Sequence, residues 1–494
     1  MTMADQIKSV GAIHAAQEFG ATYPILAALK RRTGARIHYY CGFPEQSDYL
    51  RKFDRAGVFD TIHVAPQTVL AALRPVGGDA EIVDRARILE RKLGVTLNLM
   101  AVADRHLGRG YALGGSRFFR SRASQCGYIG MLAAFVEVLE YWFDHMSRNR
   151  FDLVFGGSGE VWRVARALGI PFRILTTNRI DTGFYWAEDR FGGHAGVAAG
   201  FHGAEAGEIP PITGYLQDLI DRTNFFRAAT LSGAVRDIAR RLWRSAKGRI
   251  RNETKATQGY WLRDEIAFAL RRWWHFRALS GPHAAKLTAL ENRPFVFYAL
   301  QQEPEAMVGL VSPEFFFQQA AIAALSRDLP AGVMLAVKET VHAVGLRPAE
   351  FYRQIAELKN VVMLDVAERG IDIARKAAAT VTMTGTVALE AALMGKPVLV
   401  FGRNNSFNLL PHVSVIRSFD DIRPALERAL AGAIDPDRAR LDAARYFKAL
   451  SGFSFPLTDY RPGADANALA AEAETAVDRL LESLAASRPG GHTG

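Results

Sequence analysis

The stretch VTMTGTVALEAALMGKPVLVFGR, Val381–Arg403, is the part of the chain best suited to chemistry. Its apolar start reads as a strand that ends at Thr384-Gly385-Thr386 and turns at once into a helix. Gly385 lets a ligand approach the backbone closely. The first N–H groups of the helix, with its dipole, favour an anion such as a nucleotide phosphate. Over Val387–Met394 the one polar residue is Glu390. A helix with no solvated face belongs between layers, and a buried carboxylate is costly unless hydrogen-bonded. With Thr386 as N-cap, a capping box would need its acid at 389, where Leu389 stands. A pair of ribose hydroxyls would satisfy Glu390, and a protein hydrogen bond is the alternative.

Further candidates fall at the ends of other apolar runs. Lys338 and Glu339 follow Val333–Val337, where a cation can neutralise phosphate. Gln301, Gln302, Glu303 and Glu305 follow Phe295–Leu300, with Pro304 fixing the turn, and could read a base or a sugar. His14 ends the first apolar run and Glu18 follows. Either could accept the proton of an acceptor hydroxyl, although a lone histidine is more often structural. Asp104, Arg105 and His106 form a charged group after Val95–Val102 that could contact an acceptor. The alternative for Lys338 is an exposed lysine at a strand end, and for Gln301–Glu305 a polar loop. HExxH, CxxC and P-loop patterns are missing, so no dedicated metal site and no NTPase site is indicated.

These residues sit at the ends of strands in a pattern of strand and helix alternation that occurs twice. In the first half the strands are Val10–Ala15, Arg36–Cys41, Thr61–Val64, Phe151–Phe155 and Pro171–Leu175. In the second half they are Phe295–Leu300, Val333–Val337, Val361–Leu364, Ala379–Met383 and Pro397–Phe401, with helices Pro313–Ser326, Pro348–Leu358, Gly370–Ala377 and Val387–Met394 between them. Such alternation builds parallel sheets, and ligands bind outside the carboxyl ends of the strands. The fold class is therefore α/β: two Rossmann-like doubly wound domains facing a cleft, with a helical basic connector. We place the N-terminal acceptor domain at 1–220, the connector at 221–292 and the nucleotide domain at 293–450. A C-terminal helical segment at 451–486 and a disordered tail at 487–494 complete the chain.

The 494 residues are 49% hydrophobic and 23% charged, which excludes wholesale disorder. Cys41 and Cys126 are too few for a disulfide framework or a structural zinc site, so a reducing compartment is the default. The N-terminus has no apolar core of a signal peptide, and the most apolar window, Gly127–Phe143, is broken by Glu137 and Glu140. A cytoplasmic protein is expected, peripheral at most on the inner face of the cytoplasmic membrane. The net charge is +10 and the pI about 9.6. Between Arg222 and Arg277 lie 14 basic and 4 acidic residues, so this stretch alone carries the whole excess. Trp243, Trp261, Trp273 and Trp274 stand among them. Arginine beside tryptophan suits an anionic membrane surface or an acidic glycan. A solvated helical connector is the alternative, and nucleic acid is disfavoured because no recognition motif accompanies the charge.

The C-terminal half resembles the capsule polysaccharide biosynthesis and export family, whose members include bacterial Kdo transferases acting on lipid-linked capsule. The resemblance is carried by LQQEPEA (Leu300–Ala306), VKE (Val337–Glu339), FYRQIAELKNVVML (Phe351–Leu364) and TGTVALEAALMGKPVLVFG (Thr384–Gly402), about a quarter of the chain. The last segment also resembles other GT-B glycosyltransferases and nucleotide-sugar epimerases of that fold. The resemblance implies a GT-B-like arrangement with a nucleotide-sugar held by the C-terminal domain. Gln301, Lys338, Glu339, Thr384, Gly385, Thr386 and Glu390 would be its contacts, with no other cofactor. The chain departs from the family at two places: Glu303 is inserted before Pro304, and Thr340-Val341 replace a His-Pro, with His342 two positions late. The function implied is transfer of a sugar to a glycan or lipid-linked acceptor in surface polysaccharide assembly. A nucleotide-sugar epimerase, or a non-catalytic capsule assembly protein that binds glycan or membrane, is the alternative.

Overall fold

The computed structural model describes residues 3–13, 19–75, 77–111, 119–181, 183–212, 230–251, 259–303, 305–457 and 466–487. The chain divides into two compact units. The first comprises 1–100, 126–204 and 448–494, and the second 101–125 and 205–447.

The first unit is built on strands β1 (Ser9–Ile13), β2 (Arg36–Cys41), β3 (Thr61–Val64), β4 (Leu153–Phe155), β5 (Phe172–Thr177), β6 (Gly183–Ala187) and, from late in the chain, β13 (Phe455–Pro456). Their order is β13-β6-β5-β4-β1-β2-β3. The pairs from β3 through β5 are parallel, while β6 runs antiparallel to both β5 and β13. The central strands are buried along almost their whole length, as expected of parallel strands inside a sheet covered on both faces. Helices α1 (Phe19–Thr33), α2 (Tyr128–Asn149) and α3 (Gly159–Ala167) belong to this unit. The window read as the nearest approach to a membrane span is within α2, which buries Phe135, Leu139, Trp142 and Met146 in protein instead. The C-terminal helix Ala466–Ala486 presents Ala473, Ala476, Val477, Leu480 and Leu484 to the same core, at helical spacing. The Trp186 indole donates to the Ala476 carbonyl at 2.8 Å. This segment therefore belongs to the N-terminal unit, whereas the sequence suggests a separate appendix. Residues 488–494 lie outside the described residues.

The second unit carries a six-stranded sheet, every pair parallel: β7 (Phe295–Ala299), β8 (Met334–Lys338), β9 (Val361–Met363), β10 (Ala379–Thr382), β11 (Val398–Val400) and β12 (Val413–Val415). The order β12-β11-β10-β7-β8-β9 is doubly wound, and it reverses between β7 and β10. Five of these strands stand where the sequence puts them; β12 is too short and too mixed to be read in advance.

Helices α4 (Leu231–Ile250) and α5 (Leu262–Ala278) are the basic segment. They do not form a free-standing connector. Arg271 donates to the Gly345 carbonyl at 3.2 Å, His275 packs edge-on to Tyr352, and Leu279 enters the core of the second sheet. Gly345 has φ +90, and a Cβ there would stand 2.8 Å from the Arg272 backbone, so the fit of α5 requires a glycine. Residues of the 101–125 stretch join the same unit: Trp261 N–H donates to the Arg120 carbonyl at 2.7 Å, and Arg120 is bidentate to Asp264. The remaining helices that matter below are α6 (Gln318–Asp328), α7 (Ala349–Ala356), α8 (Gly370–Lys376) and α9 (Thr386–Leu393). Among the described residues no helix is long and apolar enough to cross a membrane.

Candidate functional site

Register decides what meets at the reversal point of the second sheet. Ala299 of β7 lies opposite Lys338 of β8, and Tyr298 opposite Val381 of β10. The three carboxyl ends therefore deliver Leu300-Gln301, Lys338-Glu339 and Thr382–Gly385 to one place. A cavity of about 440 Å³ opens there. It is lined by Gln301, Lys338, Gly385, Thr386 and Glu390, among others. This is the position at which doubly wound sheets bind ligands.

Helix α9 forms one wall. Its N-cap is Gly385, one residue earlier than the sequence suggests, so the capping-box position becomes Ala388. Glycine has no side chain to accept from the first N–H groups, and Gly385, Thr386 and Val387 all line the cavity. The residues Ala388 to Leu393 are all buried, as a helix with no polar face requires. Glu390 is 6% exposed and lines the same cavity. At about 1.5 Å per residue it lies about 6 Å along the axis from Thr386. A Cβ on Gly385 would stand 2.8 Å from Thr382 Oγ1 and 3.3 Å from Gln301 Nε2, so the backbone there is pressed against the strand ends. Met394 caps the far end, and Gly395, with φ +72, turns the chain into β11.

Gln301 is fixed from every side. Its side-chain carbonyl accepts from the Thr384 N–H at 2.8 Å and from the Thr384 hydroxyl at 2.9 Å. Its main chain is gripped by the Gln318 amide through two bonds of 2.8 Å. Thr384, 5% exposed, thus acts on the cavity by orienting Gln301. Lys338 is 9% exposed and its ammonium donates to the Glu339 carbonyl at 3.2 Å.

Glu339 and Glu303 are engaged differently from the sequence expectation. Glu339, 1% exposed, accepts from Arg347 at 2.7 Å, from the Tyr352 hydroxyl at 2.8 Å and from the Thr340 N–H at 2.8 Å. Glu303, 7% exposed, accepts from the Gln318 N–H at 3.0 Å and lies 3.5 Å from Arg347. Arg347 also donates to the Gln301 carbonyl. Burial opposes the charge on Arg347, but the two carboxylates override it and hold the guanidinium above its ordinary value. Burial pushes the Glu303 carboxyl up, against the pull of Arg347. The loops after β7 and β8 are thus pinned together by one buried ionic cluster. Its arginine and Gln318 lie where the sequence offers no motif, and Tyr352 lies on α7, inside the Phe351–Leu364 segment.

His342, whose displacement breaks the family pattern, reaches the cavity, together with Thr340 and Glu368. Its pKa is lowered, first by loss of solvent and then by Arg272. Asp104 and Arg105 are not among the lining residues. Asp104 holds a turn by accepting from the His106 and Leu107 N–H groups at 2.7 and 2.8 Å. The His106 ring stacks on Tyr260, with ring centres 4.8 Å apart. His14 and Glu18 lie outside the described residues. Among the described residues, no group of three or more His, Cys, Asp or Glu stands where it could hold a metal ion.

No protein-family model matches the chain, and no curated protein is similar to it. Among solved structures it is similar to the glycosyltransferase VinC in complex with dTDP, at 13% identity and a TM-score of 0.29, over 95% of this chain and 100% of that one. It is similar to the UDP-GlcNAc 2-epimerase of Neisseria meningitidis bound to UDP-GlcNAc, at 10% identity and a TM-score of 0.24, over 96% and 100%. It is also similar to KpsC of Thermosulfurimonas dismutans, a beta Kdo 2,7 transferase, at 14% identity and a TM-score of 0.27, over 57% and 78%. The chain itself is an α/β protein of two Rossmann-like sheets, with a cavity at the reversal point of the second.

Proposed function

We propose that the protein is a glycosyltransferase of surface polysaccharide assembly. It takes a sugar from a nucleotide-sugar and passes it to a glycan or lipid-linked acceptor at the inner face of the cytoplasmic membrane. The observation that supports this best is Glu390: a carboxylate sunk in an apolar helix, yet opening on a cavity beside that helix's own N-terminus. In this reading the phosphates lie against the N–H groups of Gly385–Val387 and Lys338, and Glu390 accepts from the ribose hydroxyls one turn further along. Gln301, oriented by Thr384, supplies amide N–H groups to the base or sugar. In the reaction the acceptor oxygen bonds to the anomeric carbon and the bond from that carbon to phosphate breaks. The leaving nucleotide keeps the electron pair, and the acceptor proton goes to a base. The helix N-terminus and Lys338 stabilise the charge that develops on the departing phosphate.

Incubating the full chain with labelled nucleotide-sugars, with and without a lipid-linked glycan fraction, tests the reading. Label appearing in the glycan only when acceptor is added supports it. An isomerised nucleotide-sugar formed without acceptor would make the protein an epimerase. A bound but unchanged nucleotide-sugar under both conditions would leave only the binding function.

A further inference from the structure

Helix α4 is amphipathic the wrong way round for a helix that only joins two domains. Its buried positions, Gly233, Ala234, Asp237 and Gly248, are small or polar. Apart from the half-buried Ile238, its large apolar side chains point out: Leu231 is 54% exposed, Val235 57%, Leu242 46%, Trp243 69% and Ile250 85%. At about 100° per residue these five share an arc of about 120°, opposite the buried face, and Ala239 and Ala246 fill the gaps. Arg236, Lys247 and Arg240 run along one border of the stripe, and Arg249 interrupts its other border. Helix α5, tied to α4 by the Arg241–Glu265 pair at 3.0 Å, has a smaller outward stripe of Leu270 and Trp274 between Arg263 and Arg277.

Among the described residues, the acids of this segment are turned inward. Asp237 holds Arg241 at 2.9 Å, Glu265 holds the same guanidinium, and Asp264 holds Arg120. Arg241 is also wedged between the Phe119 and Phe268 rings. The outward face is therefore apolar in the middle and positive at its borders. A second copy of the chain set on it would bring like charges together. A layer of anionic phosphates above an apolar interior matches both parts.

We infer that the outward stripe of α4 lies in the plane of an anionic membrane surface. Leu231, Val235, Leu242, Trp243 and Ile250 enter the acyl boundary, and Arg236, Arg240, Lys247 and Arg249 meet lipid phosphates. The inference deepens the membrane part of the proposed function and rests on it only for the choice of compartment.

Flotation of the full chain tests it, with vesicles of phosphatidylcholine alone or with about 30% phosphatidylglycerol. The protein is expected to float with the anionic vesicles and not the neutral ones, to lose binding as salt rises, and to show a blue-shifted tryptophan emission. Leu242→Glu with Trp243→Glu, and separately Arg236, Arg240, Lys247 and Arg249 changed to Gln, should each lower partitioning by about tenfold or more. These positions are solvent-facing, so the folded state should persist in both variants, as circular dichroism will show. Absent flotation, or equal flotation of the Leu242→Glu/Trp243→Glu variant, overturns the inference. So does a dimer that the same variant dissociates, because a second copy would then cover the stripe. Nucleotide-induced thermal shifts, measured on the same samples, keep the two readings apart. Flotation without such a shift leaves the membrane face standing and removes the sugar-nucleotide assignment.

Discussion

Replacing Gly385 by alanine puts the closest packing of the site under test. Gly385 has φ −71, so alanine meets no backbone strain there. The cost is steric: the new Cβ would be 2.8 Å from Thr382 Oγ1, whose strand is fully buried, and 3.3 Å from Gln301 Nε2. Overpacking of this kind costs about 1–3 kcal/mol, and alanine is a poorer N-cap than glycine by roughly a further half to one. At about 2–4 °C per kcal/mol, the second unit should unfold some 3–16 °C lower. Nucleotide affinity should fall as well, because relief requires Thr382, Gln301 or the start of α9 to move. The second change Thr382→Ala removes the nearest atom, so it should return the steric part and leave the capping part. Differential scanning calorimetry of the four proteins reads this as a coupling between positions 382 and 385. Additive losses, or a Gly385→Ala protein as stable and as well liganded as the parent, would refute the claim that the backbone is held against the strand ends for function.

Other outcomes follow from the same geometry. Arg347→Met strands Glu339 and Glu303 without their cation and should cost about 3–5 kcal/mol in urea unfolding. Adding Glu339→Gln should recover part of it, and an unchanged midpoint in the single variant would contradict the buried cluster. Lys338→Gln should weaken nucleotide binding by about 10–100-fold in calorimetry, the worth of one charge-assisted hydrogen bond, and an equal affinity would remove Lys338 from the site. In the first unit His38, His63 and His145 cluster, with the His63 and His145 rings 5.3 Å apart, and burial lowers the pKa of all three. Burial likewise lowers His194, to about 4. The unfolded chain then binds more protons below pH ~6.5, so stability is full above that value and falls as pH drops towards the folded pKa values. A urea midpoint that stays flat from pH 7.5 to 5.5 would contradict this.

Much of the fold was legible because both sheets are mostly parallel: buried strands read as short apolar runs, and glycine, proline or aspartate marks their ends. Arg36–Cys41 and Thr61–Val64 need no adjustment at either boundary. The antiparallel additions β6 and β13 lack that signal, since β13 is two residues long and is defined by its partner alone. The site was legible where one helix holds both anion-binding N–H groups and an isolated acid, as α9 does. It was not legible where long-range pairing assigns roles. Nothing local distinguishes Glu339, committed to Arg347 and Tyr352, from Lys338 beside it. The basic segment showed its charge in sequence, but its attachment to the second unit depends on Gly345 and His275 meeting residues about 75 positions apart.

The central claim is that Glu390 faces the cavity to grip a nucleotide. Isothermal calorimetry of CMP, UDP, GDP and dTDP against the parent and Glu390→Ala tests it most directly. One nucleotide should bind the parent, and the variant should lose about 10-fold or more of that affinity, as expected for a charged hydrogen-bond acceptor. Equal affinity in the two proteins, or no binding of any of the four to the parent, would contradict it.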